Sequence, residues 1–110
     1  MQEIPLEQVP NQRLSFNIGQ SYWTLKVYQA INHMCIDISL NGNALVSGVR
    51  CFGGIPAIPF ESLIPEGVGN FIFDVDADWE LFSNSGCRLY YLNADEYAQY
   101  KSSMMGVIYA

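Results

Sequence analysis

The sequence predicts a mainly β domain, a small antiparallel β-barrel or sandwich carrying a C-terminal α-helix. Three observations carry this. Apolar residues recur at every second position in three runs between Arg13 and Leu40, an Asn41-Gly42 pair separates the last of these from the next strand, and a capped helical pattern begins at Asn93. Half of the 110 residues are apolar and 15% are charged, which excludes intrinsic disorder, and the length suits one core. The chain is therefore divided into an extended arm over 1–12, a β domain over 13–92, and a helix and tail over 93–110.

In the arm, Pro5 and Pro10 hold the backbone extended, while Ile4, Leu6 and Val9 are too apolar for a free tail. The arm is expected to dock, either on its own domain or on a neighbouring subunit. Leu14, Phe16 and Ile18 then alternate with polar residues and, across a turn at Gly19-Gln20, face Trp23, Leu25 and Val27 in a hairpin. Met34, Ile36, Ile38 and Leu40 form the next strand. Asn41-Gly42, the strongest short hairpin signal, sets Leu40 opposite Asn43, Ile38 opposite Leu45, Ile36 opposite Ser47 and Met34 opposite Val49. Gly48 within the returning strand predicts a bulge or tight bend.

Residues 53–70 carry Gly53-Gly54, Pro56, Pro59, Pro65, Gly67 and Gly69, and read as an ordered loop. Its Ile55, Ile58, Phe60, Leu63 and Ile64 are expected to pack across the end of the barrel or against a partner. Phe71, Phe73 and Val75 resume strand alternation, and a turn around Asn84-Ser85-Gly86 leads to a last strand at Cys87–Leu92. Asn93 is a natural N-cap and Glu96 completes a capping box, so a helix is expected from Ala94 to about Met105, ended by Gly106. Tyr97, Tyr100, Met104 and Ile108 form its apolar stripe.

The net charge of −6 is unevenly placed. Residues 1–55 carry three acids and three bases, whereas residues 56–110 carry eight acids against Arg88 and Lys101. Five dispersed cations cannot build the basic stripe that specific nucleic-acid binding requires. The opening residues lack a basic n-region and an apolar h-region, and no run of 18 apolar residues follows, so neither export nor a membrane span is expected. Cys35, Cys51 and Cys87 sit among apolar neighbours and read as buried, reduced thiols made in a cytoplasm.

Catalytic and cofactor chemistry finds little footing. Asp74, Asp76, Asp78 and Glu80 would share one face of a strand, but counting a calcium loop from Asp74 puts Trp79 where Gly is needed and Ser85 where Glu is needed. The row reads as carboxylates projecting into solvent or a wet channel. Ser47 lacks the nucleophile-elbow glycines, His33 reads as a cross-strand neighbour of Arg50, and neither glycine pair leads into a helix N-terminus as a phosphate cradle does. No catalytic residue, metal or cofactor is expected.

The arm EIPLEQVPNQ, the strand LVSGVRC, the loop IPAIP, the strand GNFIF and the strand CRLYYLNADE, in that order and spacing, resemble the baseplate plug family of contractile-tailed, myovirus-type bacteriophages. The resemblance spans Glu3 to about Glu96 and is similar to the cyanophage representative of that family. It implies a non-enzymatic virion protein of the tail baseplate, made in the host cytoplasm and set at the tail axis where tube meets hub. It further implies other baseplate hub and tail tube proteins as partners, and a homo-oligomer within a ring.

On that expectation Ile4, Pro5, Leu6, Val9, Pro10, Ile55, Pro56, Ile58, Pro59, Phe60, Tyr97, Tyr100 and Met104 become candidate subunit contacts. Asp74, Asp76 and Asp78 become a candidate lining of the channel through which DNA slides, because carboxylates repel phosphate. The alternative is a small cytosolic β-barrel that binds a peptide or small molecule in a mouth ringed by Tyr22, Trp23, Tyr28 and Trp79.

Overall fold

The computed structural model describes residues 1–59, 61–82 and 86–109, and of residues 61 and 104–109 the backbone alone. Among the described residues seven strands form two antiparallel sheets. β1 (Gln2–Ile4), β7 (Leu89–Leu92) and β6 (Asn70–Phe73) make one, in the order β1-β7-β6. β2 (Asn11–Ile18), β3 (Ser21–Gln29), β4 (Met34–Leu40) and β5 (Asn43–Arg50) make the other, in sequence order. Among the described residues the ladders of the two sheets do not join into a closed barrel, and the arrangement is sandwich-like. A helix, α1 (Ala94–Tyr109), follows β7.

Alternation decides which side chains enter the core. Trp23, Leu25 and Val27 of β3 and Ile36 and Ile38 of β4 are fully buried and meet Phe71, Phe73 and Leu89 of the smaller sheet. Trp23 packs edge-on against Phe71, with centroids 4.9 Å apart and planes at 86°. Side chains of this size contribute roughly 1.5–3 kcal/mol each when fully buried. Trp23 therefore belongs to the core, and the aromatic mouth expected from Tyr22, Trp23, Tyr28 and Trp79 is not assembled.

The two hairpins form as their turns dictate. Ile18 pairs Ser21 across Gly19-Gln20, and Leu40 pairs Asn43 across Asn41 and Gly42, whose φ angles of 51° and 84° are the left-handed pair that this turn requires. Beyond it the β4–β5 register departs from the sequence expectation. Ile38 faces Val46 rather than Leu45, Ile36 faces Val49 rather than Ser47, and Arg50 faces Cys35 rather than His33. The ladder shifts twice: Leu45 is extra between Ala44 and Val46, and a second residue is extra at Ser47–Gly48, where Gly48 has a φ of +67° and its N–H donates to Asp37 Oδ1 at 2.7 Å. One strand gains residues that the other lacks, as a bulge does.

The arm's first residues add to the chain's own sheet, with Gln2, Glu3 and Ile4 opposite Tyr91, Tyr90 and Leu89. β6 ends at Phe73, so Val75 does not continue it and is exposed. The opposite face of β6 and β7 receives α1, where Ile72, Leu92 and Tyr97 make a second small cluster flanked by Tyr90 and Tyr100. The capping box is present: Asn93 N–H donates to Glu96 Oε1 at 3.0 Å and Glu96 N–H to Asn93 Oδ1 at 2.9 Å. The helix passes through Gly106 to Tyr109 instead of ending there. A helical glycine costs only about 1 kcal/mol relative to alanine, which does not by itself end a helix. The expected turn at Asn84 and Ser85 lies outside the described residues.

Candidate assembly surface

Residues 53–58 lie along β6, and the loop after β6 meets them at its Phe73 end. Residues 53–58 leave β5 and run along the β6 edge, where Gly54 N–H donates to Phe73 O and Ala57 N–H to Phe71 O, each at 2.8 Å. Asn70, the buried polar residue at the start of β6, fastens this segment. Its Oδ1 accepts from Ile58 N–H at 2.9 Å and from Phe71 N–H at 2.7 Å, while its Nδ2 donates to Ile58 O at 2.9 Å. Both backbone groups of Ile58 are thereby satisfied inside the core. Sequence reading missed this residue; its only local signal is a polar side chain between Gly69 and an aromatic strand.

The loop after β6 is pinned by its own carboxylates. Asp74 Oδ1 accepts from Arg88 N–H at 2.8 Å, Asp76 Oδ1 from Gly53 N–H at 2.8 Å, and Asp78 Oδ1 from Glu80 N–H at 3.0 Å. These bonds correct the expectation of a single acidic strand face. Residues 74–76 bend rather than extend, and each carboxylate caps a different segment. Asp74, Asp76, Asp78 and Glu80 all remain exposed. Gly53 is a requirement of this closure, because a Cβ there would lie 2.4 Å from the Val75 carbonyl carbon.

The remaining candidates divide by burial. Ile4, Ile58 and Tyr97 are spent inside the chain's own packing. Leu6, Val9, Pro56 and Tyr100 are half-buried, the last donating its hydroxyl to Gly54 O. Pro5, Pro10, Ile55 and Pro59 are exposed. Phe60 lies outside the described residues, as does the Met104 side chain. Phe52, exposed beneath the Arg50 guanidinium at 4.8 Å, joins Ile55 and Val75 as large apolar side chains left in solvent around Gly53. An apolar groove of about 520 Å³ runs between α1 and the sheet, lined by Met1, Ile72, Tyr90, Leu92 and Tyr100.

Electrostatically the Cys51 and Cys87 thiols are passive. Burial pushes the Cys51 thiol up to about 12 and the Cys87 thiol up to about 11, so both are protonated at neutral pH and are poor nucleophiles. Burial first, then the hydrogen bond to Asp37, raises the Tyr28 phenol as well. Among the described residues no cluster of His, Cys, Asp and Glu has the geometry of a metal site.

Among the described residues the geometry offers exposed apolar surfaces and a fixed acidic loop. A family model described as cyanophage baseplate Pam3 plug gp18 matches residues 1–95, which takes in both sheets and stops in the first turn of α1. No curated protein matches the chain.

Proposed function

Because the chain belongs to the cyanophage baseplate plug family, we propose that it is a non-catalytic structural component of a phage tail baseplate, seated at the tail axis where tail tube and baseplate hub join. The observation that carries this reading is the match over residues 1–95, covering every strand of both sheets. In this reading the two unclosed sheets are a sandwich whose job is to present edges and loops. Pro5 and Pro10 in the arm and, separately, Ile55 and Pro59 with the exposed Phe52 and Val75 are the contacts to hub and tube proteins and to further copies in a ring. Apolar side chains left exposed together are what such contacts bury.

The acidic loop has a separate task. Asp74, Asp76 and Asp78 each commit an oxygen to a backbone amide, so their charges stand in fixed places. In a lining of the tail channel, fixed carboxylates repel phosphate and let DNA pass without adhering. The net charge of −6 acts in the same direction.

The test is quantitative peptide mass spectrometry on density-purified particles, scaled to the major capsid protein. A low, constant copy number supports a tail component. Absence from particles together with abundance in the infected cytoplasm refutes it.

A further inference from the structure

Four strand edges of the two sheets differ in how they are protected. β1 is three residues long and is followed by Pro5. The outer edge of β6 is covered by residues 53–57. β5 is broken by the irregular register around Gly48. These are the usual devices by which proteins blunt an edge.

β2 has none of them. It is eight residues long, contains neither Pro nor Gly, and pairs β3 in unbroken register from Asn11↔Tyr28 to Ile18↔Ser21. No described strand pairs its other edge. In an antiparallel ladder alternate residues bond inward. The closing pair Ile18↔Ser21 and the bond from Gln29 N–H to Pro10 O, 2.9 Å, assign the even-numbered residues to β3. Asn11, Arg13, Ser15 and Asn17 therefore turn their N–H and C=O groups to the open edge. Leu14, Phe16 and Ile18 meanwhile direct half-buried side chains inward, and a groove of about 280 Å³ opens between Leu14, Phe16, Ile4 and Pro5.

Charge says what belongs there. Across the sheet one row reads Asp37, Lys26, Arg13, with Lys26 directly between the other two. Lys26 has an acid on one side and a like charge on the other, and among the described residues Arg13 has no ion-pair partner. An acidic residue in the next strand position completes the row, since opposite charges facing each other across strands are favourable. The neighbouring row is of hydroxyls, Ser15 and Thr24, whose oxygens lie 3.3 Å apart.

We propose that the free edge of β2 is a strand-addition site for an extended segment of another baseplate protein, one bearing an acidic residue opposite Arg13 and apolar residues opposite Leu14 and Phe16, with a small polar residue between. Main-chain bonds to Arg13, Ser15 and Asn17 supply the affinity and the alternate side chains supply the choice of segment. The source of the segment rests on the baseplate reading above.

Hydrogen exchange on the isolated protein and on purified particles tests this. The Arg13, Ser15 and Asn17 amides are expected to exchange freely in the isolated protein and about a hundredfold more slowly in particles. Benzoylphenylalanine in place of Asn17 should crosslink to an alternating segment of a different chain. Ser15→Pro removes an outward N–H, which an edge strand tolerates, and is expected to cut incorporation roughly tenfold while the melting temperature holds. Arg13→Glu should cut it as well. If Ser15→Pro does not fold, the wild-type exchange rates decide. Unchanged amide rates in particles that contain the protein overturn the proposal and leave the baseplate reading standing; absence from particles overturns both. Protection already present in the isolated protein, with sedimentation as a dimer, makes the occupant a second copy and overturns the proposed one.

Discussion

Replacing Asn70 by Ala tests how the loop at 53–58 is held. Asn70 is fully buried and satisfies three backbone groups, the N–H and C=O of Ile58 and the N–H of Phe71. An unsatisfied buried polar group costs about 1–3 kcal/mol, and partial relaxation of the loop keeps three such losses from adding fully, so the expected cost is about 3–5 kcal/mol. Against the roughly 5–15 kcal/mol that holds a single domain together, this is a large fraction. Urea titration should show a lower midpoint, and native hydrogen exchange should show the Ile58 amide opening well before the β3 and β4 amides. Asn70→Asp keeps the acceptor but loses the donor to Ile58 O, so it also destabilises, more strongly at neutral pH than near pH 4, where a protonated carboxyl regains a donor. A loss for Asn70→Ala below about 1 kcal/mol would refute the argument that Asn70 is the fastening point.

Gly69→Ala should cost about 3 kcal/mol or more by thermal melting, because its Cβ would fall 1.8 Å from Leu92 O; Gly67→Ala, with open space and φ +80°, should cost only about 1 kcal/mol. Asn93→Ala should remove about 1 kcal/mol with loss of helical signal in circular dichroism. The hydrogen bond from the Met1 ammonium, then that from the Asn93 N–H, lowers the Glu96 carboxyl. Its contribution is therefore complete above the ordinary glutamate range and disappears as pH falls through its depressed folded value, a dependence that Glu96→Gln should abolish. Burial raises Cys51 and Cys87 to about 12 and 11, so stability should fall as pH rises from the ordinary thiol range toward those values, and a Cys51→Ala, Cys87→Ala double variant should flatten that slope in alkaline urea titrations.

The parts of the fold legible in the sequence are those that short-range chemistry decides. Gly19-Gln20 and Asn41-Gly42 made both hairpins readable, and Asn93 with Glu96 announced the helix start, because each signal lies within four residues of what it controls. The β4–β5 register was legible only up to the first irregularity. Gly48 marks the second shift, where Asp37 reaches across to its amide, but nothing local marks the first, at Leu45. The Asn70 fastening and the open edge of β2 are illegible, and the choice between own domain and neighbour for Ile4 is left open, for the same reason: each depends on which distant segment lies alongside.

The acidic loop carries a conflict that a charge variant can separate. Alternation suggested four carboxylates in a row with only solvent as partner, a reading in which they matter through charge alone. The structure gives three of them a second role, since Asp74, Asp76 and Asp78 hold Arg88, Gly53 and Glu80 by their backbone amides. Substitution by Lys removes the acceptor as well as reversing the charge, so a defect in Lys variants would not distinguish a loop that has come undone from a channel that has become adhesive. Asn keeps an acceptor oxygen where each Oδ1 stands and removes only the charge. A triple Asp74→Asn, Asp76→Asn, Asp78→Asn protein should melt within a few degrees of the wild type, yet particles carrying it should release DNA more slowly, most clearly at low salt, where phosphate is least screened. Unchanged release at low salt, in particles that contain the variant at full copy number, would leave these residues with their structural role alone.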